Sequence, residues 1–288
     1  MLVSIVDNAY PTPENYPDRV LRMKAQGYQA VDFQALAHTD TALWKLPEPQ
    51  FLALVKNTGD FLRQQGLQIA QAHAPMQGGP TGGTPEARQR HFEEVHKALK
   101  GCQALGCHLL AIHPLLPFGN DPAQDPDAVL GINMGFLGKA ADYARFYNVT
   151  LCLENLPHDH FPLSTPESVR NLVEDMDLPN LKVCLDTGHC AMRGFPPGDA
   201  VRLIGPRLLQ CLHVHDNDGH HDSHLPPGEG VIDWNDFRQA LQDIHFQGAL
   251  NLECNPKTQE QEIQTLQMAQ WLAGGPTPPA TQKPLAPQ

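Results

Sequence analysis

The chain has 288 residues, of which 41% are hydrophobic and 18% charged, as is typical of a folded protein with a sizeable core. Its formal net charge of −12 disfavours extended binding to nucleic acid, because an acidic surface repels phosphate backbones. A small-molecule substrate is therefore expected. No apolar run reaches the roughly 18 residues of a membrane span, so no membrane association is expected either.

Short apolar runs alternate with longer helical patterns along the whole chain. Several runs are near-continuous in Val, Ile, Leu, Cys and Ala, which is the pattern of parallel strands buried on both faces. Thr84 and Thr165, each followed by Pro and Glu, and Asp233 before Trp234 are predicted helix N-caps. The predicted strands are Leu2–Val6, Tyr28–Phe33, Leu67–Ala74, His108–His113, Thr150–Asn155, Lys182–Asp186, Leu208–His215 and Ala249–Cys254.

Eight strand–helix units in about 270 residues predict a single (β/α)₈ TIM barrel over residues 1–273. A doubly wound open sheet is the alternative, but that fold usually has a Gly-rich turn after its first strand, which this sequence lacks. Residues 274–288 contain five Pro and little that could pack into a core, so they are predicted to form a disordered tail.

The cysteine content indicates a reducing compartment. Seven Cys are present, an odd number, and none forms a CxxC pair. Those within the predicted strands are expected to be reduced thiols that pack as small hydrophobic groups. The N-terminus has no basic region typical of a signal peptide, so a cytoplasmic location is predicted.

Residues of metal-ligand type stand at the ends of six consecutive predicted strands, from the third to the eighth. Because the active site of a barrel lies at the carboxyl ends of its strands, these side chains are predicted to meet at one site. Singly, His73 or His113 could be a hydrogen-bonded core residue, and Asp186 could be an N-cap. The residues are His73, His113, Glu154, Asp186, His189, His213, His215 and Glu253, joined by Asp222 and His224 from the loop after strand seven.

This set resembles the xylose isomerase-like barrel superfamily, which includes endonuclease IV and the sugar-phosphate isomerases and epimerases. The resemblance implies one metal held by Glu154, Asp186, His213 and Glu253. The sequence is also similar to endonuclease IV in two further groups of residues. One group is His73 with His113 and the shared Glu154. The other is His189 with Asp222 and His224, which precede Gly228-Glu229-Gly230. The resemblance thus implies one to three divalent ions, with Zn²⁺ or Mn²⁺ favoured by the mixed imidazole and carboxylate ligands.

Two functions are weighed. The first is a metal-dependent isomerase or epimerase of a sugar, sugar phosphate or related polyol, in which Glu154 and Glu253 transfer the proton while His189 and His215 hold substrate oxygens. The second is an endonuclease IV-like hydrolase of a phosphate ester with two or three metals. The loop after His73 has no aromatic residue and no Arg, which disfavours DNA as the substrate. Relatives are often dimers or tetramers, and the sequence leaves a homo-oligomer open.

Overall fold

The computed structural model describes residues 1–8, 16–76 and 81–276. Each predicted strand is present, and its ends differ from the observed ends by no more than two residues. Most of the predicted tail and part of the loop after His73 lie outside the described residues. The observed strands are β1 (Leu2–Val6), β2 (Ala30–Phe33), β3 (Gln68–His73), β4 (Leu109–Ile112), β5 (Thr150–Glu154), β6 (Leu181–Asp186), β7 (Leu209–His213) and β8 (Ala249–Leu252).

The eight strands form one parallel sheet in the order β7-β6-β5-β4-β3-β2-β1-β8. Val214, directly after β7, forms a parallel bridge with Leu252 of β8. In this bridge the Val214 amide donates to the Asn251 carbonyl at 2.8 Å, and the Glu253 amide donates to the Val214 carbonyl at 3.0 Å. The sheet is therefore a nearly closed barrel, as predicted, and the open doubly wound alternative is wrong. All strands end at the same rim.

Helices follow the strands around the outside of the barrel. The three predicted N-caps are confirmed, since the side chains of Thr84, Thr165 and Asp233 each accept a backbone N–H of the following helix. Within the described residues, no helix is both long and apolar enough to cross a membrane. The helices are α1 (Tyr16–Gln26), α2 (Glu48–Gln64), α3 (Pro85–Leu105), α4 (Pro126–Phe146), α5 (Pro166–Met176), α6 (Thr187–Met192), α7 (Pro197–Leu208), α8 (Trp234–Asp243) and α9 (Gln259–Leu272).

The barrel interior has a layer of side chains one or two residues before the ends of the strands, and its two halves differ in chemistry. On β4 to β7 the layer consists of small or thiol side chains that pack together, namely Ala111, Cys152, Cys184 and Cys211. On β1, β2, β3 and β8 it is polar and also buried, with Ser4, Asp32, Gln71 and Asn251. All seven cysteines are buried and free. The residues at the strand ends therefore lie above an interior layer that is polar only on the side formed by β1, β2, β3 and β8.

Candidate functional site

Four of the predicted ligands converge at the rim formed by β5 to β8. Glu154, Asp186 and His213 are the last residues of β5, β6 and β7, and Glu253 directly follows β8. Each offers one ligand atom, and these four atoms lie within 4.8 Å of one another. Nδ1 of His213 is 3.1 Å from Oε2 of Glu154 and 3.1 Å from Oε2 of Glu253. The fold thus gathers residues that are 99 positions apart in sequence, from 154 to 253.

His73 and His113 lie on one side of this group, as predicted from the ends of strands three and four. Nε2 of each ring is 3.3 Å from Oε2 of Glu154. Their rings meet edge to face with centroids 4.9 Å apart, and the His73 ring stacks on that of His213 at 5.5 Å. Glu154 therefore contacts three imidazoles through a single oxygen.

His189, Asp222 and His224 lie on the other side. Asp222 contacts Nε2 of His189 at 3.5 Å and Nε2 of His224 at 3.4 Å. The carboxylate of Asp186 also accepts the His189 backbone N–H at 2.7 Å, so Asp186 is both an N-cap of α6 and a member of the site. All nine predicted metal ligands therefore lie in one continuous cluster of histidines and carboxylates.

His215 belongs to this second side of the cluster. Its Nε2 lies 3.1 Å from Asp186 and 3.8 Å from Asp222, and its ring stacks on that of His224 with centroids 4.1 Å apart. A side chain on Gly188 would overlap the His215 ring, so this close approach requires glycine. His215 was predicted to hold substrate, and its position also suits a metal ligand.

The hydrogen bonds of the imidazoles suit a cation. Nδ1 of His73, His189 and His224 each pairs with a backbone carbonyl at 2.7–2.8 Å, so Nδ1 carries the proton and Nε2 points at carboxylates. His213 is fully buried, and within the described residues no contact of its ring nitrogens has hydrogen-bond geometry, although carboxylate oxygens lie 3.1–3.4 Å from both nitrogens. Converging carboxylates and imidazole nitrogens are the donor set of a divalent transition metal. The residues present therefore fit the predicted ion.

The charges of the cluster are strongly interdependent. Burial alone raises the pKa of the Glu154 carboxyl, but His213 and His113 outweigh burial and hold that pKa well below its usual range. Burial lowers the pKa of His189, yet Asp186 and Asp222 raise it to about 10. In His224, Asp222 and Glu253 likewise outweigh burial, and the pKa is about 9. The carboxylates thus attract positive charge from protons or from a cation.

The loop that carries Asp222 and His224 is organised by Asp216, which is fully buried. Its carboxylate accepts the backbone N–H groups of Asn217, Gly228 and Ile232 and the indole N–H of Trp234, at 2.8–3.3 Å. Its contacts show that it holds the two ends of the loop together.

Sequence reasoning missed two buried carboxylates on the first two strands. Asp7 directly follows β1, and Asp32 lies within β2 with its Oδ2 3.4 Å from Nε2 of His213. The signal was available, because Asp32 interrupts the apolar run Tyr28–Phe33. A carboxylate in a strand buried on both faces needs a partner, so its presence indicates a nearby polar or charged group.

Comparison with known families supports these observations. A family model described as xylose isomerase-like TIM barrel matches residues 20–273. The uncharacterized protein MJ1311 of Methanocaldococcus jannaschii is 30% identical over 188 residues, which are 63% of this chain and 62% of that protein. The D-psicose 3-epimerase of Enterocloster bolteae is 26% identical over 255 residues, covering 85% of this chain and 79% of the enzyme.

Solved structures agree in fold. A D-psicose 3-epimerase crystallised in the presence of D-fructose superposes with a TM-score of 0.77 at 20% identity, over 96% of this chain and 100% of the other. The IOLI protein with a binding zinc atom superposes with a TM-score of 0.74 at 17% identity, over 95% and 96% of the two chains. At these identities the similarity shows a common barrel.

Proposed function

The chain belongs to the xylose isomerase-like TIM barrel family, and from this we propose that it is a metal-dependent isomerase or epimerase of a sugar, a sugar phosphate or a related polyol. Relatives and structural neighbours named D-psicose 3-epimerase support an enzyme of this kind. The acidic net charge supports a small-molecule substrate over nucleic acid. The seven free, buried thiols support the predicted cytoplasmic location.

The observation that carries this proposal is the pair Glu154 and Glu253, whose carboxylates both lie 3.1 Å from Nδ1 of His213. Nearby histidines outweigh the burial of Glu154 and hold its pKa well below its usual range, so it is ionised, the form that a general base requires. Glu253 is half-buried, so part of its side chain is open to solvent. Two carboxylates in this arrangement can remove a proton from carbon and return one.

The other residues of the site have supporting roles. Glu154, Asp186, His213 and Glu253 would hold the cation, with Zn²⁺ or Mn²⁺ suited to this mixed ligand set. Such a cation would supply Lewis-acid stabilisation for the negative charge that develops on the oxygens of a hydroxyketone as it becomes an enediolate. His189 and His215 would hold substrate oxygens beside the carboxylates.

A metal-dependent hydrolase of a phosphate ester is the second candidate. It is favoured by the two outer groups, His73 with His113 and His189 with Asp222 and His224, which adjoin the central four ligands. These groups provide donors for one or two further cations, and paired metals stabilise the attacking and leaving oxygens of a phosphoryl transfer.

One experiment separates the two functions. The purified protein is analysed for metal per chain and is then incubated in D₂O with a panel of ketoses, their phosphates and inososes, while NMR follows deuterium at the carbon beside the carbonyl. For the isomerase we expect one metal per chain in the wild type. We also expect that the wild type incorporates deuterium and that Glu154→Gln does not. Three metals, turnover of bis-p-nitrophenyl phosphate and no deuterium incorporation would contradict the isomerase proposal and establish the hydrolase.

A further inference from the structure

Asp32 lies inside the barrel and has no exposed surface. Its Oδ2 accepts hydrogen bonds from the side-chain amides of Gln71 and Asn251, both at 2.9 Å, and lies 3.4 Å from Nε2 of His213. Its Oδ1 has no hydrogen-bond partner among the described residues. Burying a carboxylate is costly unless it is paired, and two neutral amides compensate only part of that cost. The location of Asp32 therefore requires a stronger partner, and the His213 ring is the group that it faces.

The geometry of His213 is the reverse of that of its neighbours. His73, His189 and His224 direct Nδ1 to a backbone carbonyl and Nε2 to the carboxylates. His213 directs Nδ1 to Glu154 and Glu253 and directs Nε2 to Asp32. For Nδ1 to bind a cation its lone pair must be free, so the ring proton must be on Nε2. A carboxylate beside that proton is a stronger acceptor than a carbonyl oxygen.

We propose that Asp32 is a positioning residue that holds His213 as the Nε2–H tautomer and thereby raises the affinity of the central four residues for a divalent cation. Gln71 and Asn251 keep the Asp32 oxygen in place beneath the ring. The inference rests on the proposed function, because it requires that Glu154, Asp186, His213 and Glu253 bind a cation. Outer carboxylates of this kind orient a histidine and increase its basicity toward metal.

The test is a titration of metal-free protein with Mn²⁺ or Zn²⁺ alone, followed by calorimetry, for the wild type and Asp32→Asn. Asparagine keeps the size of the side chain and one acceptor oxygen but removes the charge. A loss of affinity of about 10- to 100-fold is expected. The visible spectrum of the Co²⁺ protein is also expected to change, because it reports the coordination of the ion to which His213 would contribute one ligand.

The matched control is Asp7→Asn, which neutralises another buried carboxylate at the end of the adjacent strand without touching a predicted ligand. Its metal affinity and Co²⁺ spectrum are expected to equal those of the wild type. If Asp32→Asn does not fold, Gln71→Met, which removes one donor to Asp32, carries the test. A roughly threefold or greater loss of affinity supports the proposal, and an unchanged affinity overturns it.

The two levels of inference fail in different ways. If the wild type binds no divalent cation, or if Glu253→Gln binds the cation as tightly as the wild type does, the proposed metal-dependent function is wrong. The proposed role of Asp32 is then wrong as well. If the wild type binds tightly, Glu253→Gln does not, and Asp32→Asn binds like the wild type with the same Co²⁺ spectrum, only the role of Asp32 is overturned.

Discussion

At the scale of single residues, the same side chain takes different roles according to its neighbours. Glu154 contacts three imidazoles, which keep it ionised although it is buried. Asp7 is equally buried, but its hydrogen-bond donors are the backbone N–H of Gln34 and the hydroxyl of Tyr16, and the effect of burial on its pKa dominates. The Glu154 carboxylate is therefore suited to binding a cation, whereas ionising Asp7 at neutral pH costs free energy because of its burial.

Asp7 gives a prediction about pH. Burial, with Asp32 adding to it, raises its pKa from 3.8 to about 6, although Gln34, Tyr16 and Arg19 lower it. The folded state therefore holds this proton more tightly than the unfolded state. The resulting stability is complete below pH 3.8 and is lost as the pH rises through 6. Removing the charge in Asp7→Asn should thus stabilise the protein at high pH.

Relative to the wild type, Asp7→Asn is expected to gain about 1.4 kcal/mol in free energy of unfolding between pH 5 and pH 8. Urea unfolding of both proteins at several pH values measures this difference. Ionisable groups that titrate in the same way in both proteins do not contribute to the difference. A difference that does not change with pH would show that the Asp7 pKa is normal.

Gly188 gives a second prediction, because it lies against the His215 ring with no room for a β-carbon. Gly188→Ala is expected to displace that ring and to lower the unfolding free energy by about 1–3 kcal/mol, the usual cost of overpacking. Activity should fall with it. The control is Gly135→Ala on α4, where a β-carbon meets open space and alanine favours the helix. Urea unfolding and the deuterium assay measure both variants, and equal behaviour would contradict the packing explanation.

At the scale of elements, the segment between β7 and α8 combines two tasks. Val214 closes the barrel against β8, and Asp216 pins the loop that brings Asp222 and His224 to the site. His224 has a left-handed backbone conformation in this loop, with φ of 46°, and its Nε2 lies 3.4 Å from Asp222. The outer half of the site therefore depends on a loop, whereas the central four residues depend on strands.

Asp216→Ala is expected to leave up to four buried donors unsatisfied and to release the loop, because an unpaired buried group costs about 1–3 kcal/mol. Hydrogen exchange should accelerate in residues 217–231 but not in the strands. The control is Asp218→Ala, which removes an exposed carboxylate of the same loop. Equal exchange in the two variants would contradict the anchoring role of Asp216.

At the scale of the whole molecule, the barrel brings several carboxylates together at one rim. The neighbouring histidines can balance this negative charge only by taking up protons. Glu154, Asp186, Asp222 and Glu253 all lie within the cluster, in a chain whose net charge is already −12. Folding concentrates this negative charge, so a ligand that neutralises it should stabilise the folded state over the unfolded one.

Removal of metal should therefore lower thermal stability. A cation present at 100 times its Kd adds about 2.7 kcal/mol, which corresponds to a rise in Tm of roughly 5–10 °C for a domain of this size. Differential scanning calorimetry of chelated protein with and without Mn²⁺ or Zn²⁺ measures the shift. In Asp186→Asn, which removes a central ligand, the shift should be much smaller. An equal shift in both proteins would place the stabilising cation elsewhere.

The sequence alone determined the eight strands, the barrel and the residues at the strand ends, because hydrophobic periodicity and helix capping are local properties of the chain. It also indicated which side chains share a rim, since carboxyl ends of parallel strands meet there. Only the tertiary structure decided that Asp32 faces His213, that Asp216 pins a loop and which ring nitrogen faces the carboxylates. Those contacts join residues up to 181 positions apart, from 32 to 213, and depend on how the strands are staggered around the closed barrel.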